Sequence, residues 1–68
     1  MKYFERMKEL RGERGETQVQ AAEAIGITLR QYQRYESGNQ KPGLDYLIAL
    51  ADHFDVSLDY LTGRTDER

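Results

Sequence analysis

Phe4, Met7 and Leu10 recur every three residues and lay one apolar stripe along a helix from about Tyr3 to Arg14, which Gly15 ends. Gly12 weakens that helix by up to about 1 kcal/mol relative to Ala. Thr17-Gln18-Val19-Gln20 then reads as a capping box: the Thr17 hydroxyl accepts from the third helical N–H and Gln20 reaches back to the Thr17 N–H. It opens a short helix 2, Gln18 to Ile25, with Gly26 as its left-handed stop. Only Ile27 separates that stop from a second capping box, Thr28-Leu29-Arg30-Gln31, which opens helix 3 through Glu36 or Ser37. Residues 37–43, with Gly38, Pro42 and Gly43, carry every turn signal and form a polar, basic loop. In helix 4, Leu44, Leu47, Ile48, Ala51 and Phe54 are spaced by three and four along one face, and Asp55 ends the helix because Asp tolerates a left-handed backbone. Ser57 caps a short helix 5, Leu58 to Leu61, closed by Gly63, and residues 64–68 read as a frayed tail. No stretch alternates as a strand does, so the fold class is all-α: five short helices around one core, a single domain over residues 1–68.

The chain has 68 residues, long enough for one domain. A domain of that length buries only about 60% of its unfolded surface, so a deep catalytic cavity would remove core it cannot spare; a binding module is expected, not an enzyme. Without cysteine there is no disulfide, thiolate metal site or cysteine nucleophile, and a reducing cytoplasm is the default location. The start interleaves charge with apolar residues, and the longest apolar run is the six residues from Tyr46 to Ala51, so neither a signal peptide nor a membrane span is expected. The net charge of -2 hides an asymmetry. Residues 1–43 carry eight Lys/Arg against six Glu, a net +2, whereas residues 44–68 carry two Arg against six Asp/Glu, a net -4. A polyanion would be met by the first part and repelled by the second, although so small an excess also suits an ordinary solvated surface.

The two capping boxes at Thr17 and Thr28, with Ala21, Ala22 and Gly26 between them, describe two short helices joined by a tight turn. Small residues let the helices cross closely and Gly26 admits the left-handed turn, which is the physics of a helix-turn-helix over about residues 17–37. At 100° per residue, Leu29, Arg30, Gln33 and Arg34 share one face of helix 3, and Tyr32 and Tyr35 the opposite one. Arg and Gln are the side chains whose paired donors and acceptors match guanine and adenine edges in the major groove. Three polar residues alone could equally be a solvated face. Their placement favours recognition, because Thr17 and Gln18 at one helix start and Asn39-Gln40-Lys41 in the next loop flank the same face and could hold phosphates.

The chain also resembles the phage repressor and Cro type of helix-turn-helix, the XRE family. The marks are Thr17-Gln18, Ala22, Gly26, the block Arg34-Tyr35-Glu36-Ser37-Gly38 with Pro42, and the ending from Leu50 to Gly63. The resemblance spans roughly Phe4 to Arg64. It implies a lambda-repressor-like, five-helix DNA-binding domain whose third helix enters the major groove. Position by position it implies that Leu29, Arg30, Gln33 and Arg34 face bases, that Gln18 holds a phosphate while bracing helix 3, and that Thr17, Ser37, Asn39 and Lys41 contact the backbone. It further implies a structural ion pair between Arg11 and Glu36. The chain departs from the family pattern at Glu16 and Ala21, where larger apolar residues are usual, and at Tyr32, which is larger than usual and could refill that space.

Of the remaining side chains, Tyr32 and Tyr35 read as core, and His53 as an exposed polar residue with no second ligand at metal spacing. Ser57, Asp59 and His53 resemble a catalytic set only superficially, since Ser57 is a cap and no oxyanion donors accompany it; no catalytic, metal or cofactor site is expected. Val56, Leu58 and Tyr60 are candidates for a dimer interface, with Tyr60 alternatively closing the chain's own core. The reading is a sequence-specific double-stranded DNA binder, a transcriptional regulator of repressor type. It would act as a homodimer on an inverted-repeat operator, with no membrane or small-molecule partner. The rival is a protein-interaction module, an antitoxin or co-regulator domain with weak or no DNA binding of its own, which the acidic second part favours.

Overall fold

Three helices of this chain start where a hydroxyl can accept from the first free N–H groups. In the computed structural model, which describes residues 2–68, Thr17 accepts from Gln20 N–H at 3.1 Å, Thr28 from Gln31 N–H at 3.1 Å and Ser57 from Tyr60 N–H at 3.0 Å. These caps open three of five helices: α1 Tyr3–Glu13, α2 Gln18–Ile25, α3 Leu29–Glu36, α4 Leu44–His53 and α5 Leu58–Thr62. The box at Thr17 is complete, with the Gln20 side-chain carbonyl accepting from Thr17 N–H at 2.8 Å. At Thr28 only half forms, because the Gln31 amide turns away to Gln40 at 3.2 Å. Gly26 ends α2 at φ 76° and Asp55 takes φ 55° after α4, as their types permit. Gly38 is fixed twice over: its φ is 83°, and a Cβ there would stand 2.9 Å from the Phe4 ring.

One core gathers residues from every helix: Met7 and Leu10, Ala21 and Ala22, Tyr32 and Tyr35, Leu50 and Ala51 with Phe54 just beyond α4, then Tyr60 and Leu61. Ala21 and Ala22 are both buried on α2, and Tyr32 of α3 is fully buried in the same core. The α4 stripe is narrower than its spacing suggests. Leu50, Ala51 and Phe54 are buried and Leu47 partly so, but Leu44 and Ile48 are 64% and 43% exposed, because they lie roughly a quarter turn round the helix from the packed face.

Residues 64–68, which the sequence reads as a frayed tail, make specific contacts with α1 and α5. Arg6 lies buried in α1 with its guanidinium 3.9 Å from the Tyr60 ring centroid, and a buried cation requires a counter-charge. Asp66 supplies it at 2.8 Å, Ser57 N–H donates to the Arg68 carbonyl at 3.0 Å, and Arg68 pairs with Glu13. The end of the chain is thereby drawn across α1 and α5.

A second ion pair joins α1 to α3. Arg11 grips Glu36 through Nη2 at 2.8 Å and Nε at 3.0 Å, while its Nη1 donates to the Glu16 carbonyl at 2.9 Å. Glu36 is only 2% exposed. Burial by itself would raise its pKa, but the hydrogen bonds from Arg11, helped by those of neighbouring groups, hold the carboxyl below its ordinary value. The Tyr32 phenol is pushed up by burial and then by the adjacent Glu36, and its hydroxyl makes no bond that meets hydrogen-bond geometry.

Removing one partner of a buried pair leaves an uncompensated charge. Glu36→Ala is therefore expected to cost about 2–3 kcal/mol, which in a chain this short lowers the melting temperature by roughly 10–20 °C. Replacing both partners, Arg11→Met with Glu36→Leu, should recover most of that loss in thermal melts, whereas an equal loss in the double variant would mean the charges themselves stabilise. Because the folded state binds the Glu36 proton less tightly than the unfolded one, this stabilisation is complete above pH 4.5 and is lost as the pH falls through the lower folded value.

Candidate nucleic-acid interface

Helix α3 is two-faced. Tyr32 and Tyr35 are buried beneath it, and Leu29, Arg30, Gln33 and Arg34 stand exposed on its outer side, where the periodicity places them. Two arginines and a glutamine within five residues present paired donors and an acceptor along about one and a half helical turns, a row that fits the width and depth of a major groove.

The loop after α3 is held at its root. The Arg34 carbonyl accepts from Asn39 N–H at 3.1 Å, Gln40 N–H at 3.2 Å and the Ser37 hydroxyl at 3.1 Å, which satisfies a carbonyl that the end of the helix leaves open. Tyr3 donates its hydroxyl to the Gln40 carbonyl at 2.9 Å, and Gln31 bonds the Gln40 side chain, so α1 and α3 both fix the loop. Exposed Ser37, Asn39 and Lys41 are thereby set at one end of the α3 face. The start of α2 stands beside the second half of α3, where Gln18 meets Gln33 and Glu36. Thr17 Oγ1 is engaged as a cap acceptor, which leaves its hydroxyl hydrogen to donate outward.

Gln18 belongs to both the core and this surface. Its amide donates to Glu36 at 3.4 Å and accepts from Gln33 Nε2 at 3.2 Å. The expected brace between α2 and α3 is present in that form. The sequence pattern assigns Gln31 to the Thr28 box and Gln40 to the flanking loop, but not the bonds by which Tyr3 and Gln31 fix that loop, which span 37 and 9 residues.

Two other expectations change. His53 is not a free polar residue: its Nε2 meets both Glu16 oxygens, at 2.9 and 2.8 Å, and both side chains are largely covered. Glu16, out of place where an apolar residue is usual, is satisfied by a partner 37 positions away. Tyr60 is only 4% exposed and lies under Arg6 and Arg68, so it closes the chain's own core and is withdrawn from the candidate dimer surface. Val56 and Leu58 are partly buried against the same core. Among the described residues no group of three or more His, Cys, Asp or Glu could hold a metal ion, and no helix is long and apolar enough to cross a membrane.

The same arrangement occurs in known proteins. The P22 c2 repressor protein, crystallised in complex with a synthetic operator, superposes with a TM-score of 0.86 over 91% of this chain and 94% of its own, at 22% identity, a likeness of fold. A transcriptional regulator from Listeria innocua superposes at 0.87 over 98% of this chain and 63% of its own, at 34% identity. In sequence, the transcriptional repressor RstR of the cryptic phage CTXphi in Vibrio cholerae is 44% identical over 98% of this chain. The uncharacterized HTH-type transcriptional regulator YobD of Bacillus subtilis is 45% identical over 96%. The chain spans 62% and 58% of the length of these two relatives. Residues 7–61 match the family described as Helix-turn-helix, and the chain belongs to that family, in its phage repressor and Cro type.

Proposed function

We propose that this chain binds double-stranded DNA sequence-specifically and regulates transcription as a repressor, with α3 in the major groove. The observation that carries the reading is the exposed row Leu29, Arg30, Gln33 and Arg34 on a helix whose opposite face is locked into the core, with phosphate-type donors at the adjoining start of α2 and in the loop that follows α3. In this reading those four residues touch base edges, with Arg to guanine and Gln to adenine as the preferred pairings and Leu29 against a thymine methyl. Thr17, Gln18, Ser37, Asn39 and Lys41 contact the phosphate backbone and set the register. The -4 charge of residues 44–68 keeps the opposite side of the molecule off the duplex.

Relatives named as transcriptional regulators, and a structural neighbour crystallised on an operator, support the same reading. One α3 reads only a few base pairs. Binding as a homodimer to an inverted repeat, with half-sites about one turn or roughly 34 Å apart, multiplies the discrimination. Val56 and Leu58, partly exposed near the start of α5, remain the proposed contact between copies.

The test is selection of bound duplexes from a randomised pool by the purified protein at physiological salt. An inverted repeat with one-turn spacing is the expected product. A folded protein that enriches no sequence would overturn the reading and leave a protein-interaction module in its place. Arg34→Ala is expected to relax preference at one position per half-site, costing about 1–3 kcal/mol there, and an unchanged selected site would remove Arg34 from the readers. Lys41→Ala should weaken binding to all sequences and lower the slope of log affinity against log salt by about 0.9, as titrations at several salt concentrations would show.

A further inference from the structure

The side chains Glu36, Gln18 and Gln33 form a continuous hydrogen-bonded series from the buried ion pair to the exposed face of α3. Gln18 Nε2 lies 3.4 Å from Glu36 Oε1, and Gln33 Nε2 lies 3.2 Å from Gln18 Oε1. An amide has one donating end and one accepting end, and an ionised carboxylate only accepts. Glu36, gripped by Arg11, therefore dictates which end of Gln18 faces inward: the NH₂ group must meet the carboxylate. The Gln18 carbonyl oxygen is then left to face α3, and Gln33 can satisfy it only by turning its own NH₂ group inward.

We infer that Glu36, acting through Gln18, fixes the orientation of the Gln33 amide, so that Gln33 offers the groove its carbonyl oxygen and one remaining N–H and selects adenine over guanine. This inference rests on the base-reading function proposed above. Adenine presents an amino donor beside the N7 acceptor, which matches an oxygen and one N–H. Guanine presents two acceptors, O6 and N7, and would face the fixed carbonyl oxygen with another oxygen. A freely rotating glutamine could turn its NH₂ group to guanine; this one could do so only by breaking the bond to Gln18. Gln18 still keeps a second Nε2 hydrogen for a phosphate. Glu36 and Gln18 are thus positioning residues for a specificity that only Gln33 exercises directly.

The test compares duplexes selected by the wild type with those selected by Gln33→Met, Gln18→Met and the double variant Arg11→Met with Glu36→Leu, with thermal melts showing that each is folded. The position whose preference disappears in Gln33→Met is the one Gln33 reads, and the wild type should favour adenine over guanine there by about ten-fold or more. Gln18→Met, which loses a phosphate contact as well, should lower affinity throughout, but only at that position should the adenine-to-guanine ratio fall, by about five-fold. Arg11→Met with Glu36→Leu removes the carboxylate that holds the Gln18 NH₂ group inward. Gln18 and Gln33 are then free to turn together, and the adenine-to-guanine ratio at that position should fall although Gln33 itself is unchanged.

A wild-type preference for guanine at that position, no position that responds to Gln33→Met, or a ratio unchanged in either folded positioning variant would overturn the inference while leaving base reading intact. Should the double variant fail to fold, Gln18→Met decides. If the folded wild type enriches no sequence at all, base reading fails and the inference fails with it.

Discussion

The bond between Arg11 and Glu36 is the constraint from which the rest of this small structure follows. A carboxylate buried on α3 must be neutralised by hydrogen-bonded positive charge, and Arg11 of α1 supplies it. Once the two meet, the angle between α1 and α3 is set. The third arm of the guanidinium fixes the backbone at Glu16, immediately before the cap that starts α2. A single arginine thus positions the first three helices, and the remaining capacity of the carboxylate is taken up by Gln18. Ala21, Ala22 and Tyr32 belong to the same buried cluster, beside polar groups that are already paired.

Rigidity on one side is what makes the other side useful. A recognition helix loses little freedom on binding if its inner face, its root and its following loop are already fixed. Tyr32 and Tyr35 lock the inner face of α3, the Arg34 carbonyl anchors the loop, and Tyr3 fastens that loop to α1. The uneven charge distribution adds orientation, because a +2 segment carrying α3 and a -4 segment carrying α4 and α5 do not approach a polyanion equally.

Several residues that look like defects in the sequence are compensated in space. Glu16 would be a costly half-buried carboxylate without His53, and Arg6 a costly buried cation without Asp66 and the face of Tyr60. In each case a polar group inside the domain has a partner from the other end of the chain. The closing contacts of this fold are therefore electrostatic as well as apolar, which suits a chain too short to bury a large core.

The sequence by itself determined the five helices, their caps, the left-handed turns at Gly26 and Asp55, and the two faces of α3. All of these depend on residues within four positions of one another: a hydroxyl three residues before an N–H, an apolar stripe at helical spacing, a residue type that tolerates positive φ. Arg6 lies beside Met7 in the first helix, outside the stripe of Phe4, Met7 and Leu10, and its charge argued for the surface. Only the tertiary structure decided the pairing of Glu16 with His53, the docking of the last five residues, the exposure of Leu44 and Ile48, and the loss of half the Thr28 box to Gln40. The physical reason is one of range. Periodicity says that a helix has an apolar or polar face, but which neighbour that face meets, and which distant charge neutralises a buried one, depends on how five helices share a single core.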